Sequence, residues 1–282
     1  MSQTVYLNGA YLPLEEARIS PEDRGFLFAD GIYEVVRAYG GAFFELDAHL
    51  ERMRRGLAAL RIGGVDVPAM ASVAAELLER NGLAGRDALV YMQVTRGAAK
   101  RSHAFPVPAP EPTVYAAPSE YGAKADPAQG VAVVTAADQR WTRCDIKTTG
   151  LLANCMALQD AVEADATEAV LVRDGVALEG THTSFFGVFE GVVRTAPASN
   201  YILPSITRRV TLELCEEHRI PSLEAPIFAR ELEAADELFL AGTTMEIMPI
   251  VRVDGRAVGN GRPGPVAGRL LELFRDRTPA AV

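Results

Sequence analysis

The 282-residue sequence is poor in residues on which several protein classes depend. Its three cysteines, Cys144, Cys155 and Cys215, are scattered and form no CxxC pair, so they indicate neither a disulfide framework nor a zinc site. No apolar run approaches the roughly 18 residues of a transmembrane helix. The first residues lack a basic region followed by an apolar stretch, which disfavours a secretory signal. We therefore expect a protein of the reducing cytoplasm.

Several common motifs are absent as well. The sequence contains no GxGxxG, no GxxxxGK[ST], no HExxH and no GxSxG, and its four histidines are too dispersed to indicate a metal cluster. These absences disfavour a serine hydrolase or a metalloenzyme. The net charge of −9 disfavours general nucleic-acid binding, which needs a basic surface. An anionic ligand would have to be bound by local arginines.

Lysine is the scarcest of the charged residues. The 28 basic residues include only three lysines, Lys100, Lys124 and Lys147. Arginine cannot replace lysine in a Schiff base, because the guanidinium is always protonated. Lys100 and Lys124 lie in polar loops and are expected to be solvated. Lys147 lies between a strand and an apolar helix, a setting that fits a partly desolvated amine and a surface lysine equally well.

The pattern of turns predicts an α+β fold rather than a doubly wound sheet. Asn8-Gly9, Asp174-Gly175 and Glu190-Gly191 each separate two apolar runs and predict hairpins. Ser20-Pro21 predicts the start of a helix. Four prolines in residues 105–112 and a loop at 121–130 indicate a domain boundary. We predict a smaller N-terminal domain, residues 1–120, and a larger C-terminal domain, residues 121–282.

Three segments carry weak signals for a bound cofactor. Glu179, in Leu-Glu-Gly after a hairpin strand, could keep a pyridine ring protonated, although an exposed glutamate at a strand end is more common. Residues 203–207 lead into a helix N-terminus, where N–H groups attract an anion. Residues 241–244 end a strand with a glycine and two threonines, as an anion-binding turn does.

Six segments together resemble one enzyme family. They are DRGFLFADGIYEVV (23–36), VTRGAAKRSHAFP (94–106), RWTRCDIKTTGLL (140–152), LEG (178–180), LPSITR (203–208) and DELFLAGTTMEI (236–247). In order and spacing they are similar to the class-IV, fold-type IV pyridoxal-phosphate-dependent aminotransferases, and within that family most similar to the D-amino-acid aminotransferases. The resemblance runs from about residue 4 to 280.

The resemblance implies roles for particular residues of this chain. Lys147 would hold pyridoxal 5'-phosphate as a Schiff base and move the substrate proton, and Glu179 would face the pyridine nitrogen. A phosphate-binding arginine, two helix-start contacts, a hydroxyl contact and an apolar side chain on the ring would complete the cofactor site: Arg52, Ile206, Thr207, Thr243 and Leu203. Three side chains would bind the substrate α-carboxylate, the last two reaching in from the neighbouring subunit of a homodimer: Tyr33, Arg101 and His103.

The resemblance also implies a fold and a reaction. We expect a small N-terminal α/β sandwich and a larger C-terminal domain with a barrel-like sheet, with the active site at the domain and dimer interface. The reaction would be a ping-pong transamination between a D-amino acid, D-alanine or D-glutamate, and a 2-oxo acid, 2-oxoglutarate or pyruvate. No metal, nucleic acid or membrane is expected to take part.

This chain departs from the family pattern in two ways. The family commonly has a Ser-Asn pair after the Glu-Gly stretch, where this chain has Thr183-Ser184, and His182 replaces a small hydroxyl residue. A titratable ring there could alter the substrate pocket.

Three functions remain as alternatives to a D-amino-acid aminotransferase. They are a branched-chain L-amino-acid aminotransferase, an aminodeoxychorismate lyase of the same fold and a non-catalytic binding protein. The Arg101–His103 pair disfavours the first two, since it supplies two donors for a carboxylate.

Overall fold

The computed structural model describes residues 2–123 and 125–279, so Lys124 lies outside the described residues. The chain forms two compact units. The first ends at Tyr121 and takes in Ile146–Gly150; the second comprises Gly122–Asp145 and Leu151–Thr278. The predicted division into residues 1–120 and 121–282 cuts the chain only once. In the structure, residues 146–150 group with the first unit although they follow that cut.

The first unit is a six-stranded antiparallel sheet with helices on one face. Its elements in chain order are β1 (Thr4–Leu7), β2 (Ala10–Pro13), α1 (Arg24–Phe28), β3 (Gly31–Tyr39), β4 (Ala42–Phe43), α2 (Leu46–Leu60), α3 (Ala69–Arg80), β5 (Ala88–Thr95) and β6 (Thr113–Glu120), with a 3-10 turn at Leu14–Glu16. The sheet order is β2-β1-β6-β5-β3-β4.

Alternation along the central strands separates the two faces of this sheet. Ile32 and Val36 of β3 and Met92 of β5 are almost fully buried, and they form one hydrophobic core with Met53 of α2 and Leu77 of α3. The residues that alternate with these core residues are only partly buried, namely Tyr33 and Val35 of β3 and Leu89, Tyr91 and Gln93 of β5. One face of the sheet therefore supplies the core, while the other carries side chains that remain accessible within this unit.

The second unit contains most of the strands. Its elements are β7 (Val131–Ala137), α4 (Leu152–Glu163), β8 (Glu168–Arg173), β9 (Val176–Gly180), β10 (Ser184–Phe189), β11 (Val192–Thr195), α5 (Ile206–Glu217), β12 (Ser222–Glu224), β13 (Ile227–Phe228), β14 (Glu237–Gly242), β15 (Glu246–Val253), β16 (Arg256–Ala257) and α6 (Pro265–Arg277), with a 3-10 helix at Ala229–Ala234.

Six of these strands close into a barrel. The order β10-β14-β15-β7-β8-β9 returns to its start because Glu179 on β9 pairs with Ser184 on β10. Closure leaves no open edge among the six strands. Large apolar side chains fill the core, among them Phe185, Leu240 and Ile250. The predictions of an α+β fold and of a barrel-like sheet in the second half are confirmed.

The three predicted hairpins are confirmed, and one predicted helix start is wrong. At Asn8-Gly9, Asp174-Gly175 and Glu190-Gly191 both turn residues have positive φ, as the tight turn between twisted strands requires. The first helix begins at Arg24 rather than after Ser20, since the Asp23 carboxylate accepts a hydrogen bond from the Gly25 N–H at 2.7 Å. Asp23 therefore provides the N-cap that Ser20 was predicted to provide.

None of the helices in the described part of the chain has the length and apolar character needed to cross a membrane. Residues 2–123 and 125–279 also contain no group of three or more His, Cys, Asp or Glu side chains arranged to hold a metal ion.

Candidate active site

Lys147 lies outside the named strands, in a segment that pairs with β3. Its carbonyl oxygen accepts a hydrogen bond from the Tyr33 N–H at 3.0 Å, and Thr148 forms a β-bridge with Ile32. Ile146 is buried in the core of the first unit. These contacts fix the backbone on both sides of Lys147, whose partly buried side chain places its amine 4.2 Å from the centre of the Tyr33 ring.

The surroundings of Lys147 differ from those of Lys100. Lys100 lies in an irregular loop and is exposed, as predicted from its polar neighbours. Of the two lysines that the structure describes, Lys147 therefore has the more buried side chain, which suits a chemical role better than the exposed position of Lys100 does.

A buried carboxylate fixes the Arg52 side chain. Glu34 on β3 accepts hydrogen bonds from Arg52 Nε and Nη2, both at 2.7 Å, and lies 2.8 Å from His49 Nδ1. Burial acts to raise the pKa of Glu34, but the charge and hydrogen bonds of Arg52, together with His49, lower it to about 2. The ionised Glu34 thus fixes the plane of the Arg52 guanidinium. An arginine on a helix is more usually solvated, whereas Arg52 is buried.

Tyrosines line the accessible face of the first sheet. The Tyr33 and Tyr91 rings stack with their centres 5.7 Å apart, and Tyr115 follows at 6.5 Å from Tyr91. The Tyr91 hydroxyl donates to Gln93 Oε1 at 2.5 Å. Burial raises the pKa of Tyr91 to about 12, with Tyr33 and Tyr115 adding to the effect. This hydroxyl therefore remains a proton donor at neutral pH.

Arg101 and His103 meet on a single aromatic side chain. The Arg101 guanidinium lies 5.1 Å from the centre of the Phe28 ring, and the His103 ring lies 5.6 Å from it. Both residues are exposed within the chain. The structure therefore brings the two predicted carboxylate ligands together at the end of α1, with their polar groups accessible.

Glu179 is buried at the end of β9 and carries a defined set of hydrogen bonds. Arg140 Nη1 donates to its Oε1, and the Leu203 N–H donates to its Oε2 at 3.1 Å. Burial raises the pKa of the Glu179 carboxyl, against the opposing effects of Arg140 and the Leu203 N–H. Arg140 is itself held by Asp138, with Nε 2.9 Å from Oδ1. The two predicted residues Glu179 and Leu203 are thus joined directly.

The residues predicted to bind phosphate in the second unit lie on two neighbouring elements. Ile206 and Thr207 are the first two residues of α5, and Ser205 is its N-cap, with its hydroxyl accepting from the Arg208 N–H at 3.2 Å. Thr243 lies in the turn after β14, and α5 packs against β14. A helix N-terminus and a hydroxyl-bearing turn are each suited to an anion.

A buried glutamate organises the loop that follows Glu179. Glu168 on β8 accepts hydrogen bonds from the hydroxyls of Thr181 and Thr183, at 2.6 and 3.0 Å, and from the Thr181 N–H. His182 Nδ1 lies 2.9 Å from the same carboxylate, while 40% of the His182 side chain is exposed. The departure from the family pattern at His182 is therefore a side chain oriented by Glu168.

Comparison with known proteins places this chain in a family. The profile of the family described as "Amino-transferase class IV" matches residues 31–253. This chain belongs to the class IV aminotransferases. The matched range contains all ten residues to which the sequence assigned a role.

Two relatives of this class IV aminotransferase match along nearly the whole chain. A D-alanine aminotransferase of Bacillus licheniformis is 40% identical over 277 residues, which cover 96% of each chain. A D-alanine aminotransferase of Staphylococcus haemolyticus is 38% identical over 272 residues, again 96% of each chain. A solved structure from Thermoproteus uzoniensis, a branched-chain aminotransferase with norvaline, has a TM-score of 0.88 and 27% identity, covering 98% of this chain and 94% of that one.

Sequence reasoning missed several partners in this class IV aminotransferase. Glu34 and Arg140, which hold Arg52 and Glu179, come from distant segments, so local patterns did not reveal them. The alternation in Ala88–Thr95 could have indicated that Tyr91 and Gln93 share a face of β5. Glu168 had no local signal, because its ligands come from the β9–β10 loop.

Proposed function

We propose that this aminotransferase uses pyridoxal 5'-phosphate to move an amino group between a D-amino acid, such as D-alanine or D-glutamate, and a 2-oxo acid, such as 2-oxoglutarate or pyruvate. The mechanism is ping-pong. The observation that carries the proposal is the Arg101–His103 pair on Phe28, in a chain 40% identical to a D-alanine aminotransferase. Two accessible donors, one of them a planar guanidinium, suit an α-carboxylate.

The chemistry of the donor set fits the cofactor. Pyridoxal phosphate needs an amine for its aldehyde, an acid for its pyridine nitrogen and donors for its phosphate. Lys147 supplies a partly buried amine, and Glu179 a buried carboxyl with a raised pKa. Arg52, the N–H groups of Ile206 and Thr207 and the Thr243 hydroxyl would hold the phosphate, and the Leu203 side chain would pack on the ring: these residues are donors or apolar surfaces of the required kind.

When bound, pyridoxal phosphate withdraws electrons from the substrate α-carbon and carries the amino group between the two half-reactions. The Lys147 Nζ would remove the proton from the substrate α-carbon as general base and then hold that proton, ready to act as general acid. Glu179 holds a proton at the pyridine nitrogen. Arg140 and the Leu203 N–H keep the Glu179 carboxyl in one orientation. A carboxylate held in this way could accept a hydrogen bond from the protonated pyridine nitrogen and so keep that nitrogen protonated.

The stereochemical course follows from where the carboxylate is held. Arg101 and His103 donate hydrogen bonds to the α-carboxylate, and the Tyr33 hydroxyl adds a third donor. Holding the carboxylate fixes which face of the α-carbon lies toward the Lys147 amine. The enzyme therefore accepts one enantiomer, for which we propose the D form.

The second candidate is a branched-chain L-amino-acid aminotransferase. It is favoured by the Thermoproteus uzoniensis structure, which shares 27% identity with this chain. Purified holoenzyme should be incubated with D-alanine and 2-oxoglutarate and, in parallel, with L-leucine and 2-oxoglutarate. Formation of pyruvate and glutamate in the first mixture supports the proposal. Turnover confined to L-leucine would overturn it in favour of the second candidate.

We also propose a cytoplasmic homodimer in which Arg101 and His103 serve the neighbouring subunit. The three free thiols, Cys144, Cys155 and Cys215, suit a reducing compartment. Subunits of K147A and R101A mixed under exchange conditions test the dimer. A mixed dimer would contain one site with both Lys147 and Arg101, so activity with the normal KM should return. Mixed subunits as impaired as the separate variants would refute the shared site.

A further inference from the structure

Arg24 is the first residue of α1, and its side chain is only 3% exposed. Its Nε donates to Asp30 Oδ2 at 2.8 Å. Arg96 binds the same carboxylate at both oxygens, through Nε at 2.7 Å and Nη2 at 2.9 Å. Asp30 therefore has a bidentate partner in Arg96, and its charge is balanced without Arg24.

The other side of the Arg24 guanidinium contacts the loop that carries Arg101 and His103. Arg24 Nη1 donates to the carbonyl oxygen of Ser102 at 2.6 Å and to that of Ala104 at 3.5 Å. Ser102 is the residue between Arg101 and His103. Since residues 101–105 are exposed, a buried guanidinium holds an otherwise accessible backbone.

Arg24, Arg101 and His103 all lie near the same aromatic ring. The Arg24 guanidinium lies 4.8 Å from the centre of the Phe28 ring, and Arg101 and His103 lie 5.1 and 5.6 Å from it. The hydrogen bond from Arg24 to the Ser102 carbonyl and the shared Phe28 ring thus limit where the side chains of Arg101 and His103 can point. Ordering such side chains before the substrate arrives lowers the entropy lost on binding.

We propose that Arg24 is a positioning residue for the substrate carboxylate. It acts through Arg101 and His103 by fixing the Ser102 carbonyl, and Asp30 holds the Arg24 guanidinium in place for this purpose. The inference rests on the proposed role of Arg101 and His103 as carboxylate ligands. It explains why a second arginine is directed at a carboxylate that Arg96 already binds at both oxygens.

The test is steady-state kinetics of the holoenzyme with D-alanine in R24M, R24K, R101A and the two double variants. We expect R24M to raise the KM for D-alanine about tenfold, with kcat changed by less than about threefold, because misplacing a substrate-binding group weakens binding. R24K keeps the charge but lacks the planar fork, so we expect a smaller rise. In the R101A background either Arg24 substitution should have a smaller effect than in the wild type, because only the part that passes through His103 remains.

R54M is the matched control, since Arg54 is exposed on α2 and pairs with the neighbouring Glu51 of the same helix. It removes the same charge and should leave the KM unchanged. Hydrogen exchange gives a readout independent of turnover: amides of residues 101–105 should exchange faster in R24M than in the wild type or R54M.

An unchanged KM in R101A would overturn the proposed role of Arg101, and this inference with it. A raised KM in R101A with an unchanged KM in both R24M and R24K would overturn this inference alone. Effects of R24M and R101A that multiply in the double variant would also overturn it, since they would show that Arg24 does not act through Arg101.

Discussion

His182 Nδ1 lies 2.9 Å from the buried carboxylate of Glu168. Burial acts to raise the pKa of Glu168, but the hydrogen bonds and charge of His182, with the Thr181 donors, lower it. The Glu168 carboxylate therefore orients the partly exposed imidazole of His182, three residues after Glu179. His182, which departs from the family pattern, thus has the buried Glu168 carboxylate as a partner.

Glu168→Gln should lower the free energy of unfolding by about 1–3 kcal/mol. The glutamine amide replaces one carboxylate oxygen with an NH2 group, which cannot accept the hydrogen bonds that Thr181 and Thr183 donate to that carboxylate. His182→Ser should cost less than about 1 kcal/mol, since His182 is partly exposed. Urea unfolding of both variants, with the exposed Glu163→Gln as control, checks this. Equal losses in the Glu168 and Glu163 variants would contradict the organising role of Glu168.

Gly180→Ala should disturb the same loop. A Cβ at Gly180 would collide with Thr183 Oγ1 and with the Glu168 carboxylate. Overpacking of this kind costs about 1–3 kcal/mol. Gly63→Ala is the control, because a Cβ there meets nothing within 4 Å. Thermal unfolding should show a lower Tm for Gly180→Ala and an unchanged Tm for Gly63→Ala. An equal Tm in the two variants would show that the loop tolerates the added methyl group.

Lys147→Ala should abolish both turnover and the yellow absorbance of lysine-bound cofactor, because no other group replaces the amine. Lys100→Ala should retain both, since Lys100 is an exposed loop residue. Absorbance spectra after addition of pyridoxal phosphate and removal of the excess, followed by an activity assay, check both variants. Retention of the absorbance or of turnover in Lys147→Ala would remove Lys147 from its proposed role.

The Glu34–Arg52 pair predicts a dependence of stability on pH. The pKa of Glu34 falls from 4.5 to about 2 on folding, so its carboxylate stabilises the folded chain above pH 4.5. That contribution, on the order of 3 kcal/mol, is lost as the pH falls from about 4.5 towards 2. Glu34→Gln should therefore be less stable than the wild type at neutral pH.

The difference in the free energy of unfolding between the wild type and Glu34→Gln should become smaller as the pH is lowered. Urea unfolding at several pH values from 7 to 3 measures it. A constant difference across this range would mean that Glu34 has the same pKa in the folded and the unfolded chain.

Glu179→Gln should lower kcat at least about a hundredfold while the cofactor remains bound. Glutamine keeps the shape of the side chain but cannot hold the pyridine proton. Glu163→Gln makes the same change at an exposed position and should leave kcat unaltered. Single-turnover kinetics with absorbance detection measure both; a normal rate in Glu179→Gln would exclude proton holding by this residue.

Much of the architecture could be predicted from local sequence. The hairpins at Asn8, Asp174 and Glu190 depend on dipeptides that favour positive φ, which act within a few residues. The helix start was placed wrongly at Ser20, because Asp23 competes for the same function and local rules do not rank the two. Which capping side chain reaches an N–H group depends on the backbone around it.

By itself the sequence determined the candidates: three lysines, one of them beside an apolar helix, and six segments that identify the family. These follow from residue chemistry and order alone. Only the tertiary structure decided which charged and polar groups meet, placing Glu34 against Arg52, Arg140 against Glu179 and Arg24 against the Ser102 carbonyl. Such pairs join residues 18 to 78 positions apart, and burial sets their strength, so neither can be obtained from neighbouring residues.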